Sequence, residues 1–459
     1  MKFNPCILTR LYARVAASSL LVAAACLLAP PAESADLVLG HTLAAHAITR
    51  GHNRKVIYDP VKRNFYALWL EEIDGSVIQT AGEGIVSQRT TRGTSWTPNQ
   101  LIGFDEAGST SFDIIPVGSG YYALGLDDNL VSGYKEYGVR NMTINADGSL
   151  NPGPLNAAFV NSGPADLDHF YGSVLRDATG IVWIAARVGD STPGTHAEVI
   201  RSTGPDTLNA WGPGGCLGAE CKTAWTNPYP TVVMERGTIA NRLLNLKGFG
   251  IGLITYNKKN SEPATIGQLL FTRNPSGGHA GWNATPIVLT TQANQYDGAN
   301  TVDTTRLDDR RFSAVVDPAT GVIHVVYVSR DTKDASNGNL RYFTFSPPYA
   351  SLANKSAEKT IVPVEVDGAQ LSIDSRHQPA KVTVFYIENH HPNYTLMMLT
   401  NPGTEFPPYT TAAPISSTVG KRQYPQAPET VTSPYILVLD QENTTDGWDI
   451  VGRMVRMPF

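Results

Sequence analysis

Short runs of apolar and aromatic residues, each ending in a polar or charged one, recur along the chain at spacings of roughly 55 to 70 residues. The copies read FYALWLEE from Phe65, YYALGLDD from Tyr121, IVWIAARV from Ile181, GIGLITYN from Gly250, VIHVVYVS from Val322, KVTVFYIE from Lys381 and YILVLDQE from Tyr435. Each is rich in β-branched and aromatic residues, too short for a helix, and bounded by Gly, Pro, Asn and Asp, the pattern of a buried strand. A fixed period of this size marks a repeat architecture, in which each unit buries its face against its neighbours. Most copies sit inside a four-strand unit. In the first, Lys55–Tyr58 and Phe65–Leu70 flank a turn, and Ile85–Gln88 and Ser95–Ile102 supply the third and fourth strands. The fifth repeats the plan as FSAVVD, a turn at Pro318-Ala319-Thr320-Gly321, VIHVVYV, LRYFTFS and TIVPVEV. Asp-Pro and Thr-Gly are strong hairpin punctuation. The pattern predicts an all-β chain folded as a seven-bladed β-propeller, with an open pair of β-sandwiches as the structural alternative.

The two ends of the array support a closed ring. After YILVLDQE there is room for one more strand, Asp449 to Met457, so the last blade is a strand short. The segment Asp36–Leu43 reads as a strand with no hairpin partner. If this N-terminal strand completes the last blade, neither end leaves an open sheet edge.

Residues 1–34 read as a signal peptide: Lys2, Arg10 and Arg14 precede the apolar stretch Val15 to Ala29, and Ala32 and Ser34 offer a cleavage site after Ser34. The apolar stretch is short for a transmembrane helix and no later run is longer. Residues 35–459 then form a single propeller domain that is secreted, periplasmic or displayed at the cell surface. A lipoprotein anchor at Cys26 is the rival reading of the same leader. Removing three basic residues and Glu33 from the chain's 36 and 41 leaves 33 basic against 40 acidic residues, a net charge of about −7. That balance excludes a general attraction for nucleic acid or an anionic membrane. Outside the leader only Cys216 and Cys221 remain, in CLGAEC, and in an exported chain this pair reads as a disulfide closing a small loop.

A second pattern is a Gly-rich turn leading to Trp: TTRGTSW ending at Trp96, NPSGGHAGW ending at Trp282, and TTDGW ending at Trp448. These resemble degenerate forms of the Asp-box, Ser-x-Asp-x-Gly-x-Thr-Trp, of sialidase-like and related secreted propellers. In the first copy Gly93, Ser95 and Trp96 match, while Thr91 stands where the Asp belongs. The resemblance implies a propeller with the Trp packed between blades. It extends to propeller polysaccharide lyases and glycosidases as much as to sialidases. The sialidase Phe-Arg-Ile-Pro sequence has only the counterpart Phe112-Asp113-Ile114-Ile115-Pro116, without its Arg.

In a propeller, the loop reaching each innermost strand and the loop leaving each second strand share one face, around the axial funnel. Residues expected before the inner strands are His52 and Arg54, Asp113, His169 and Tyr171, Tyr229, Arg310 and Arg311, Arg376 and His377, and Arg422 and Tyr424. Those expected after the second strands include Glu71, Asp127 and Glu388. Guanidinium groups recognise carboxylate or sulfate through paired hydrogen bonds. Tyrosine and histidine can move protons. This set predicts an anionic glycan, uronate-containing or sulfated, as partner. In β-elimination, His169, Tyr171, His377 and Tyr424 are the acid–base candidates and Arg54, Arg311, Arg376 and Arg422 the clamps, with His52 and Tyr229 beside them. In glycoside hydrolysis of the sialidase-like kind, Glu71, Asp127 and Glu388 are the natural acids. A non-catalytic binding propeller is the third reading. No cofactor and no metal site is implied, although Asp297 and Asp303 within YDGANTVD leave a structural calcium open. The chain reads as a monomer.

Overall fold

In the computed structural model, every one of the seven apolar runs is the second strand of an antiparallel sheet. The described residues run from Asp36 to Pro458, apart from 44–46, 49–52, 72–82, 106–111, 118–119, 127–136, 160–168, 189–195, 212–237, 260–265, 277–281, 294–311, 330–338, 391–392, 420–421 and the single residues 284 and 404. Blade 1 is built from Val56–Asp59, Asn64–Glu71, Glu83–Thr90 and Gln100–Asp105, so its fourth strand starts at Gln100 and not at Ser95. Blade 2 comprises Asp113–Val117, Gly120–Leu126, Tyr137–Ile144 and Leu150–Phe159. Blade 3 has His169–Arg176, Val182–Val188 and His196–Arg201. Blade 4 has Thr238–Asn245, Ile251–Lys259, Ile266–Asn274 and Ile287–Ala293, and blade 5 has Phe312–Val316, Ile323–Ser329, Asn339–Phe345 and Lys359–Val362. Blade 6 has Val366–Asp374, Lys381–His390, Asn393–Asn401 and Ala413–Val419. Blade 7 has Arg422–Gln426, Tyr435–Asn443 and Trp448–Arg456, and its outermost strand is Leu37–Thr42 from the other end of the chain. The N-terminal strand thus closes the ring, pairing Leu37 with Gly452 and Thr42 with Trp448.

The second strands are apolar on both faces because each is sandwiched between two other blades. In blade 6, Phe385 and Ile387 join a cluster with blades 7 and 1, while Val384 and Tyr386 join one with blade 5. The period of two sends alternate residues to opposite neighbours, so no position is left for a polar face. Packing between blades is close: a side chain at Gly40 of the N-terminal strand would meet the ring of the fully buried Trp69 at 2.9 Å. Two of the Gly–Trp turns work between blades as well. Trp96 lies against Gly452 of blade 7, and Trp282 of blade 4 meets Trp183 of blade 3 edge-on at 6.1 Å. Such an aromatic pair contributes about 0.5–1.5 kcal/mol beyond its buried area. Gly93 in the first turn has φ +76°, and a Cβ there would strike the Met454 side chain. Trp448 differs, since it opens a third strand.

An ion cluster fastens the closure. Arg422 and Arg453 of blade 7 are fully buried and reach Asp440, Glu442 and Asp36. Arg422 Nε lies 2.7 Å from Asp440 Oδ2, and Arg453 Nη2 donates to Glu442 Oε1 at 2.7 Å. Arg453 Nε donates to Asp36 Oδ1 at 2.5 Å. Ser416 of blade 6 donates to Asp36 Oδ2 at 2.7 Å and its carbonyl accepts from Arg422 at 3.1 Å. Burial pushes Asp440 up despite both arginines, whereas the Arg453 and Ser416 hydrogen bonds outweigh burial and hold Asp36 down. Removing one partner of a buried ion pair costs about 3–5 kcal/mol because the other charge is stranded. Arg453→Met is therefore expected to lower the urea midpoint by that much stability at an unchanged slope, read by equilibrium denaturation. A loss below about 1 kcal/mol would show that the cluster does not hold the ring shut.

Candidate functional site at the ring axis

The inner strands run side by side around the axis, beginning at what we term the upper face and ending at the lower one. All but that of blade 6, which pairs in parallel with Thr430–Val431 from blade 7, are edges of their sheets, so their axis-facing backbone groups need partners from elsewhere. Polar side chains supply them. Asp113 of blade 2 accepts from the Val174 N–H of blade 3 at 2.9 Å, Ser173 of blade 3 from Leu243 N–H of blade 4 at 3.2 Å, and Ser313 of blade 5 from Leu371 N–H of blade 6 at 3.1 Å. Ser372 of blade 6 donates to the Pro428 carbonyl of blade 7 at 2.5 Å.

Charged residues extend this lining across the axis. Arg54, just ahead of the first inner strand, donates to Asp113 Oδ1 from its backbone N–H at 2.8 Å and from Nε at 3.0 Å. Its Nη2 donates to Asp113 Oδ2 at 2.8 Å and to the Val174 carbonyl at 2.7 Å. Glu429 of blade 7 lies 3.7 Å from Arg54 Nη1 and forms an ion pair with Arg242 of blade 4. Two arginines from opposite sides of the ring thus share one carboxylate. Lys55 is buried beside them, with Nζ 3.6 Å from the centre of the Phe112 ring and donating to the Phe112 carbonyl. Burial would raise Asp113, but the Arg54 and Arg242 charges and the Arg54 hydrogen bonds hold it below its ordinary 3.8. Burial and the neighbouring Arg54 push Arg242 down, and Asp113 opposes them. Arg54, Lys55 and Arg242 are thus gathered with Asp113 and Glu429 near the axis. Glu429 keeps a quarter of its side chain in solvent, so the cluster borders an opening of the axis.

The predicted site residues separate accordingly. Arg54 is at the axis, but it is committed to ion pairs between blades instead of standing open as a clamp. Arg422 begins the last inner strand as expected, yet its side chain is wholly taken into the ring-closing cluster. Tyr424 is buried among apolar residues, at a bulge where its φ is +59°, and so does not line the mouth. Arg376 and His377 are displaced altogether. The inner strand of blade 6 is Val366–Asp374, so these residues form the turn below it, on the face opposite the expected one. There Arg376 Nε donates to Asp374 Oδ1 at 2.8 Å, and His377 Nε2 lies 3.7 Å from Asp374 Oδ2. The backbone of His169 and Tyr171 opens the inner strand of blade 3, at the upper face as expected. Glu71 ends its strand accepting from Trp69 Nε1 at 3.1 Å and Asn99 Nδ2 at 2.8 Å, and burial raises its pKa. Glu388 is buried near the end of the second strand of blade 6. His52, Asp127, Tyr229, Arg311, Asp297, Asp303, Cys216 and Cys221 lie outside the described residues.

Sequence reasoning missed Arg242 and Glu429, and placed Asp113 at the funnel without its partner. A signal existed for Arg242: the one charge in the strand TIANRLLN, set beside Leu243 and Leu244, has to meet a counter-charge once buried. Glu429 follows a proline-rich bend, where charge is ordinary.

No protein-family model matches the chain, and no curated protein matches it. Among solved structures, an ulvan lyase bound to a saccharide of GlcA and Rha3S units superposes with a TM-score of 0.53 at 9% identity, covering 90% of this chain and 94% of the lyase. A Trypanosoma rangeli sialidase in complex with the inhibitor DANA gives a TM-score of 0.48 at 11% identity, covering 92% of this chain and 60% of the sialidase. Another polysaccharide lyase gives 0.47 at 11% identity, with 92% and 91% covered. The chain shares the propeller fold of the first of these.

Asp113 also sets a pH limit. Because its folded pKa is depressed, it contributes stability that is complete above its ordinary value and is lost as pH falls through the folded value. Asp113→Asn is expected to lower stability at neutral pH and to flatten the fall of stability below about pH 4, as followed by denaturation at stepped pH. An unchanged acid limb would rule out the axial ion pair as its source.

Proposed function

We propose that this chain is an exported, monomeric, carbohydrate-active propeller that takes an anionic glycan at the upper mouth of the axis and cleaves it by β-elimination. The observation that carries the reading is the axial cluster, where arginines from blades 1 and 4 and Lys55 gather around two carboxylates, one of them partly open to solvent. A uronate carboxylate is drawn to such a field despite the acidic whole. The same field favours the charge that builds on that carboxylate as the proton next to it leaves. His169 and Tyr171, opening the inner strand of blade 3, are the acid–base pair in this reading. One takes the proton from the carbon beside the carboxylate, the electron pair becomes the new carbon–carbon double bond, and the bond to the leaving oxygen breaks. The other returns a proton to that oxygen. The fold shared with a lyase bound to a glucuronate-containing saccharide supports the same reading. Among the described residues no helix is long and apolar enough to cross a membrane.

Incubation of the purified protein with uronate-rich and sulfated uronate glycans tests this directly. The expected result is new absorbance from the unsaturated uronate. His169→Ala and Tyr171→Phe should each reduce it by about 10²–10⁴-fold, while Arg376→Ala on the lower face should leave it unchanged. New reducing ends without absorbance would establish hydrolysis instead. Binding without any product would establish a glycan-binding propeller.

A further inference from the structure

Blades 1 and 2 leave a space between them that the preceding pair of blades fills. Ala67 of blade 1 lies opposite Val56 on its inner strand, and Ala123 of blade 2 lies opposite Ile114 on its own. That register makes Trp69 of blade 1 the counterpart of Gly125 of blade 2, and both positions face the preceding blade. The fully buried Trp69 ring occupies its interface up to Gly40 on the outermost strand of blade 7. The outermost strand of blade 1 also presents a glycine, Gly103, but Gly125 sends no ring to meet it. What remains is a cavity of about 370 Å³, counting its mouth. Its walls include Ile85 and Ile102 of blade 1 and Phe112, Ile114 and Leu155 of blade 2. Arg140, opposite Ala123 on the third strand of blade 2, is the charged residue on these walls and is partly buried. Its Nη1 donates to the Gly153 carbonyl at 3.0 Å. Among the described residues no carboxylate pairs with Arg140, and its Nε and Nη2 have no partner. A Cβ on Gly103 would stand 3.8 Å from Nε and cover that edge, which the glycine leaves bare.

We propose that this cavity binds a small aromatic carboxylate, its ring lying where the Trp69 indole lies one interface earlier and its carboxylate on Arg140. The walls select the ring. A cavity of about 150 Å³ lined by Leu, Ile and Phe stays dry and takes up benzene, because water finds no partners there. The guanidinium selects the anion. Nε and Nη2 carry N–H groups in one plane, spaced to meet the two oxygens of a carboxylate. A neutral arene would leave that edge unanswered, and a carboxylate without a ring would leave the apolar walls empty. Both requirements are met by one planar ring bearing one carboxylate. This site and the axial reading stand or fall separately.

Titration calorimetry of the full chain with benzoate, benzyl alcohol and acetate tests the proposal. Benzoate is expected to bind at a single site. Benzyl alcohol, which has the ring without the charge, should bind about 10- to 100-fold more weakly, and acetate should give no measurable heat. At roughly a hundredfold excess over Kd, benzoate should also raise the thermal midpoint by about 3 °C. Gly125→Trp supplies the ring that blade 1 already carries and should abolish benzoate binding. Arg140→Met keeps the length of the side chain and should bring benzoate down to the affinity of benzyl alcohol, with the thermal midpoint of the unliganded variant showing that it folds. No binding of benzoate, equal binding of acetate or benzyl alcohol, or undiminished benzoate binding by either folded variant would overturn the proposal.

Discussion

The structure depends on how the sheet edges at the ring axis are satisfied. Seven sheets arranged radially bring seven inner strands together, and, apart from the short pairing of blade 6 with Thr430–Val431, their axis-facing backbone groups have no further strand to pair with. Aspartate and serine side chains bond those groups across the gap to the next blade, as Asp113, Ser173 and Ser313 do. The axis is consequently polar for a structural reason before any functional one. Once it is polar, charged residues can be held there at tolerable cost, which is how Arg54, Arg242 and Glu429 come to meet. Polar lining and ionic cluster are two stages of one solution.

Two ion clusters divide the work. The axial one joins blades 1, 2, 4 and 7 and borders an opening. The one around Arg422 and Arg453 lies inside blade 7 and against blade 6, with both guanidiniums closed off from solvent. Similar residue types therefore serve different ends according to depth. A buried arginine with three carboxylates within reach is a fastener, whereas an arginine pair sharing a partly exposed carboxylate is a field source. Glu388 is a third case, since its buried carboxylate meets a histidine and two phenols in place of an arginine.

Much of the architecture was legible in the sequence because second strands are buried on both faces, and a run such as VIHVVYVS has no other stable fate. The closing strand was legible for a related reason: a lone apolar segment at one end and a missing strand at the other point to each other. The inner strands were harder to read. VDGAQLSID in blade 6 carries Asp, Gln and Ser because half of it faces the axis and blade 7, so it does not look like a core strand. Overlooking it moved Arg376 and His377 from the lower turn to the upper mouth. The fate of Arg422 was hidden differently, since its partners Asp440 and Glu442 sit on a neighbouring strand and Asp36 at the far end of the chain.

The joining of the two chain ends carries a consequence for biogenesis. Asp36 and Arg453 are 417 residues apart, and so the last blade cannot be assembled until the chain has been made through Arg453. Through that interval the leading strand must wait with the edge that later pairs with Trp448–Arg456 available to strangers. Contacts of such long range are slow to form. The ion pair of Asp36 with the buried Arg453 gives that strand a reason to settle on its own arginine and on no passing sheet.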